Sequence, residues 1–153
     1  MAGQVETIAE RINNRINRSE LSSKMHGFAY RISDGRLGHR VRGVPVLLLT
    51  TVGRHTKKRR TVPLMYLEDG NRMLVVASNA SNPERPPGWW FNLTANPKAH
   101  VRAEGRKGAV RTRQLDADEQ ADLWPRLAAH NPNWARYQEE TARTFAVISL
   151  VFD

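Results

Sequence analysis

Five cations stand within seven residues of this chain: Arg54, Lys57, Lys58, Arg59 and Arg60, in the segment GRHTKKRR at residues 53–60, with no acid among them. Like charges crowded into a short connection repel one another, and a bound anion relieves that repulsion. Arginine forks onto phosphate oxygens, lysine supplies a mobile point charge, and Thr56 adds a hydroxyl donor. The chemistry on offer is the capture of a phosphate or a carboxylate-rich tail. The plain alternative is a solvated charged surface. A Walker-type phosphate loop is excluded, because the G-x-x-x-x-G-K-[ST] spacing is absent.

A second segment, Ser78-Asn79-Ala80-Ser81-Asn82-Pro83, is followed by Trp89-Trp90-Phe91-Asn92-Leu93. Small polar residues at a strand end let backbone N–H groups meet a flat heterocycle, and the aromatics offer apolar walls or plain core. Adjacent tryptophans on one helix point in different directions, so at most two of the three aromatics line one pocket. Other chemistries find no support. His26, His39, His55, His100 and His130 are scattered without metal-ligand spacing, so no metal site is expected. No G-x-S-x-G nucleophile elbow occurs. Asp116, Asp118 and Glu119 open a helix, where capping and the helix dipole account for them.

These residues sit in a chain of 153, enough for one domain with a single core. The formal net charge of +9 favours anionic partners without choosing among them. The absence of cysteine excludes disulfides, cysteine-ligated zinc, iron–sulfur clusters and thiol nucleophiles. Neither an apolar signal segment nor a run of membrane-spanning length is present, so the expectation is a cytoplasmic protein, at most peripheral at a membrane.

The elements that must position the two segments follow from period and turn signals. Residues 5–16 place Val5, Ile8, Ile12 and Ile16 on one helical face and arginines on the other. That predicts an N-terminal amphipathic helix, which either packs on the domain or touches anionic lipid weakly. With a glycine-containing connector it makes up residues 1–43, and residues 44–153 form the main domain. Strands are predicted over 44–51, 61–68, 72–77, 99–103, 109–115 and 145–152. A hairpin turn is predicted at Asp69-Gly70-Asn71, because Gly and Asn tolerate positive φ, and another around residues 104–107. Helices are predicted over 89–95, from Asp116 to about 130 with Pro125 as a kink, and over 133–143. Hairpin-joined strands with helices inserted late indicate an α+β, barrel-like domain.

Taken in order, Thr50-Thr51-x-Gly53-Arg54, Arg60-x-x-Pro63-Leu64, Ala77-Ser78 and Trp89-x-x-Asn92-Leu93-x-x-Asn96-Pro97 resemble the deazaflavin-dependent nitroreductase family. These are F420-dependent quinone and nitro reductases with a split β-barrel, and the resemblance runs from about residue 44 onward. It implies that Arg54, Thr56, Lys57, Lys58 and Arg60 hold the coenzyme's phosphate and acidic tail. It implies that Pro63 and Leu64 pack beside the ring system, that Ala77, Ser78 and Asn79 contact the ring, and that Trp89 and Asn92 shape the far wall. Trp89, Trp134 and Tyr137 would border the acceptor, with Tyr137 or Ser78 as hydrogen-bond donor to its oxygen. One position departs from the family pattern: Lys57 stands where glycine is usual, so the turn differs locally or Lys57 adopts a conformation that glycine accepts more cheaply.

The activity implied is hydride transfer from reduced F420 to a planar quinone-like or nitroaromatic acceptor. Three readings compete with it. An FMN-binding barrel needs fewer cations than this loop provides. A non-catalytic F420 carrier would share the same binding residues. A nucleic-acid-binding module fits the net charge but lacks any matching motif, so no nucleic-acid partner is expected. The oligomeric state is open at this level.

Overall fold

The computed structural model describes residues 40, 41 and 43–153. The helix expected over residues 5–16 and most of the connector lie outside them. The elements run β1 (Arg40–Val41), β2 (Val44–Val52), β3 (Arg59–Met65), β4 (Leu67–Asp69), β5 (Arg72–Val76), α1 (Gly88–Ala95), β6 (Lys98–Ala103), β7 (Arg106–Gln114), α2 (Ala117–His130), α3 (Pro132–Glu139) and β8 (Val147–Phe152).

The strands pair antiparallel in the order β3-β2-β6-β7-β8-β5-β4, with β1 beside the start of β2. β3 and β4 occupy the two ends of this order, yet only Tyr66 separates them in the chain. A sheet whose edges lie one residue apart must curl round on itself, which produces the split barrel. At the seam the Tyr66 N–H donates to the Pro45 carbonyl at 3.1 Å, and its ring is fully buried.

Strand period then sorts the side chains into two cores. Met73, Val75 and Ala77 join Leu47, Leu49, Val101, Val110, Ile148 and Leu150 inside the barrel. The intervening Leu74 and Val76 point outward and are covered by Leu127, Trp134 and Phe145. The first cluster therefore fills the barrel, while the second glues α2 and α3 onto its outer wall.

Several boundaries differ from the predicted ones for identifiable reasons. The second hairpin turns on Glu104 and Gly105 alone, both at positive φ, so β7 begins at Arg106. Two positive-φ residues match the right-handed twist of the flanking strands. The helix predicted to about residue 130 does end there, as α2, with Pro125 inside it. The last helix stops at Glu139 because the Gln138 side chain turns the chain back. Its Nε2 donates to the Arg143 carbonyl at 2.6 Å and its Oε1 accepts the Phe145 N–H at 2.9 Å. The predicted cap on α2 forms: Asp116 Oδ1 accepts the Glu119 N–H at 2.8 Å.

Glu119 also receives a bidentate fork from Arg113 at 2.7 and 3.1 Å and lies 3.5 Å from Arg72. Arg113 above all holds its carboxyl down at about 2, from an ordinary value of 4.5. A depressed acid stabilises the fold fully above its unfolded value and loses that contribution as pH falls toward the folded one. Unfolding is therefore expected to become easier between pH about 4.5 and about 2. Glu119→Gln should flatten the pH dependence in that window, as read by denaturant titrations at fixed pH. An unchanged slope would remove Glu119 from the acid response.

Candidate functional site

Helix α1 closes one end of the barrel with Trp89, Asn92 and Leu93, which share one helical face. Trp89 and Leu93 are each 6 % exposed and belong to the barrel core. Asn92, between them, spends its amide on two neighbours. Its Oδ1 accepts the Arg54 backbone N–H at 3.1 Å, and its Nδ2 donates to the Thr51 hydroxyl at 3.0 Å. Thr51 is itself buried. The root of the cationic loop is thus bolted to the helix through the Arg54 backbone, and the Arg54 guanidinium takes no part in that bond.

The loop closes on itself. The Gly53 N–H donates to the Lys58 carbonyl at 2.8 Å, and the Lys57 N–H donates to the Gly53 carbonyl at 2.9 Å. Thr56 Oγ1 accepts the Lys58 N–H at 3.2 Å, which leaves the hydroxyl proton to donate elsewhere. A Cβ on residue 53 would lie 2.5 Å from that Oγ1 and 3.3 Å from the Lys58 carbonyl oxygen, so any larger residue would displace the Thr56 hydroxyl from its place in the turn. Lys57 sits at φ +60. The departure from the family pattern is resolved by lysine adopting the left-handed conformation, at about 1–2 kcal/mol. The loop thereby keeps the glycine-like turn and adds a charge.

Arg54 lays its guanidinium over Phe91, 4.3 Å from the ring centre, and Arg85 approaches the same ring at 5.8 Å. Phe91 thus brings together the loop after β2 and the loop after β5. In register, Arg60 lies opposite Thr51 and shares the face of Val62 and Leu64, which pack on the barrel core. Arg59 lies opposite Val52 on the other face. Among the described residues, no carboxylate ion-pairs with Arg54, Lys57, Lys58, Arg59 or Arg60. Acids whose ion pairs lie among the described residues serve other arginines, as Glu68 does Arg106, Asp69 does Arg72 and Arg126, Glu119 does Arg113 and Asp153 does Arg111.

The loop after β5 starts from Ala77, whose N–H donates to the Ala146 carbonyl at 2.8 Å. Ser78 and Asn79 are half-buried. Asn79 Oδ1 accepts from the Ser81 hydroxyl at 2.8 Å and the Asn82 N–H at 3.3 Å, forming a local Asn-initiated turn. Among the described residues, the hydroxyls of Ser78 and Tyr137 make no hydrogen bond, so both are available to a ligand.

The structure gathers Arg54, Thr56, Lys57, Lys58, Arg60 and Asn92 around one end of the barrel. It does not gather the aromatics named with them. Trp89 lies in the barrel cluster, whereas Trp134, 5 % exposed, and the half-buried Tyr137 lie in the cluster outside the wall. The alternation of β5 separates the two sets. Pro63 and Leu64 likewise fall on opposite faces of β3. Two features escaped sequence reasoning. Arg143 reaches across to the loop after β5, donating to the carbonyls of Ala77, Pro83 and Arg85. Gln120 and Gln138 tether residues 143–147 through their side-chain amides. No spacing rule reveals a side chain whose partners are distant backbone carbonyls.

Among the described residues no group of three acids or histidines gathers to hold a metal, and no helix is long and apolar enough to cross a membrane. Residues 22–151 match the family model described as F420H(2)-dependent quinone reductase. An F420H(2)-dependent quinone reductase of Mycobacterium tuberculosis is 37% identical over 131 residues, covering 83% of this chain and 87% of the relative. A solved F420-H2 dependent reductase superposes with a TM-score of 0.63 at 33% identity, covering 69% of this chain and 93% of the other. A second solved chain, described as a domain-swapped dimer, gives 0.65 at 30% identity, covering 83% and 96%.

Proposed function

Since the chain belongs to the F420H(2)-dependent quinone reductase family, we propose that it passes a hydride from reduced F420 to a quinone. The protein is an F420-dependent oxidoreductase, and coenzyme F420 is its cofactor. The observation that carries the assignment of residues is the cationic loop, whose charges no described carboxylate neutralises. Such a loop fits a coenzyme that ends in a phosphate and an acidic tail, and its surplus of cations exceeds the single phosphate of FMN.

In this reading Arg54, Thr56, Lys57, Lys58 and Arg60 hold the anionic portion. Asn92 fixes the loop root rather than the coenzyme itself. Ala77, Ser78 and Asn79 face the ring system, with Leu64 and Pro63 contributing from either face of β3. When bound, reduced F420 supplies a hydride from C5 of its ring, so the chain needs neither a nucleophile nor a metal of its own. Its tasks are orientation, exclusion of water and a hydrogen bond to the acceptor's oxygen. Ser78 and Tyr137, whose hydroxyls make no hydrogen bond among the described residues, serve the last task. Trp134 supports Tyr137 from within the outer cluster, and Trp89 stabilises the end of the barrel that carries Asn92. Nitroaromatics, planar and anionic on reduction, form the second acceptor class. A weak contact with anionic lipid would bring the domain to lipid-soluble quinones.

Stopped-flow mixing of the complex with reduced F420 against menadione is expected to reoxidise the coenzyme well above its background rate. Tyr137→Phe should slow this step more than it weakens coenzyme binding. A nitroaromatic compound in a parallel arm tests the second class. If neither compound accelerates reoxidation, the protein carries F420 without catalysing its oxidation. Parallel titration with FMN should give weaker binding than F420.

A further inference from the structure

The loop between β5 and α1 is long and has no regular structure. It contains Pro83, Pro86 and Pro87, which supply no backbone N–H. Its internal hydrogen bonds are local: the Asn82 N–H donates to the Asn79 carbonyl and the Arg85 N–H to the Asn82 carbonyl, each at 3.1 Å, while Asn79 Oδ1 accepts from the Ser81 hydroxyl and the Asn82 N–H. Those bonds shape a turn but do not attach the loop to the body of the domain.

Besides the contact of the Arg85 side chain with Phe91, Arg143 makes that attachment. Its Nε donates to the Pro83 carbonyl at 3.0 Å, its Nη1 to the Ala77 carbonyl at 3.2 Å and its Nη2 to the Arg85 carbonyl at 3.4 Å. Three nitrogens of one rigid, planar group thus reach both the start of the loop and its far half. The guanidinium is held from behind as well. It lies 4.7 Å from the Phe145 ring centre, and Phe145 is fully buried. The Arg143 carbonyl is tied to Gln138, and its N–H donates to the Thr141 hydroxyl at 3.2 Å. Among the described residues no carboxylate ion-pairs with it, and Glu84 acts on it only at longer range. Burial pulls its pKa below the usual value, yet a guanidinium stays charged. Among the described residues the hydrogen bonds of its guanidinium go to neutral carbonyls alone, beside the strand end where Ser78 and Asn79 emerge.

We propose that Arg143 is a positioning residue for the coenzyme: its three-carbonyl fork sets the loop after β5 in the shape that receives the F420 ring, and its charge, which no described carboxylate pairs, favours an anionic ligand there. The inference rests on the reading that Ala77, Ser78 and Asn79 face the ring. A lysine would keep the charge but lose the fork. A glutamine would lose both.

The test has two arms. In ligand-free protein, Arg143→Gln and Arg143→Lys should both speed hydrogen exchange of the Asn82 and Arg85 amides by tenfold or more, with core-strand amides unaffected. In F420 titrations followed by fluorescence, Arg143→Gln should raise Kd at least tenfold, and Arg143→Lys should recover only part of that loss. Leu123→Ala, which thins the outer cluster without touching the three-carbonyl fork, is the stability control. It should lower the melting temperature without changing the Kd for F420. Unchanged loop exchange in both Arg143 variants overturns the proposal. So does a loss of affinity that Leu123→Ala reproduces at equal loss of melting temperature. A wild-type protein that fails to bind F420 would defeat the reading of the site instead, and the exchange arm would still decide whether Arg143 sets the loop. Should Arg143→Gln fail to fold, Arg143→Lys carries both arms.

Discussion

Removing the guanidinium groups of Arg54 and Arg60 together is expected to weaken F420 binding by about 3 kcal/mol, roughly a hundredfold in Kd. Each is assigned at least one hydrogen bond to a charged oxygen, and such bonds contribute about 1.5–3 kcal/mol. The double alanine variant should retain its fold. The Arg54 side chain is separable from its backbone N–H, which stays bonded to Asn92. Arg60 is exposed. Removing two of five clustered like charges also relieves repulsion in the ligand-free loop, so thermal stability should hold or rise slightly. Fluorescence titration at several salt concentrations reads both parts: wild-type affinity should fall as salt rises, and the variant's should fall less steeply. Unchanged affinity in the double variant would leave the cationic loop without a role in binding and return it to a solvated surface run.

Trp89→Ala is expected to destabilise the fold by about 3–5 kcal/mol, the range for a large aromatic removed from a packed core. The ring is 6 % exposed and belongs, with Leu93 of the same helix, to the core that fills the barrel. The cavity left there would loosen α1, and with it Asn92 and the root of the cationic loop. Coenzyme affinity should therefore fall as a secondary effect, and Trp89→Phe should restore most of both. Denaturant midpoints for the three proteins, read beside their F420 titrations, separate the possibilities. Lost affinity at unchanged stability would make Trp89 a direct wall of the coenzyme site.

The elements visible in the sequence are those written in local chemistry. Apolar β-rich runs mark β2, β5 and β8, because the inner positions of a closed sheet must be apolar. Asp69-Gly70-Asn71 marks a hairpin, and the structure has Gly70 at φ +63 there. Asp116 with Glu119 marks the start of α2 through a bond that needs no distant partner. The cationic loop is legible because charge without compensation is itself a signal. What stays hidden depends on the third dimension. The break between β3 and β4 at Tyr66 is a bend imposed by barrel closure, inside what looks like one strand. The separation of Trp89 from Trp134 follows from which wall of the barrel each faces, a fact about sheet closure that no window along the chain contains. Arg143, Gln120 and Gln138 act on backbone atoms, which every sequence possesses, so their partners leave no trace in residue type.

The strand order has a kinetic consequence. β8 is wedged between β7 and β5, and its register pairs Val76 with Val147 and Met73 with Leu150. No local hairpin can supply the β5 contact; the chain must first close a loop of about seventy residues, with an entropy cost that grows with the logarithm of loop length. Until β8 inserts, β5 and β7 each present an open edge to any passing strand. Folding should accordingly be slow for a chain of this size, on the order of milliseconds to seconds. The amides of β5 and β8 should gain protection in the same kinetic phase. Crowded refolding, in which one molecule's β8 can meet another's β5, is then the condition under which exchanged dimers would accumulate.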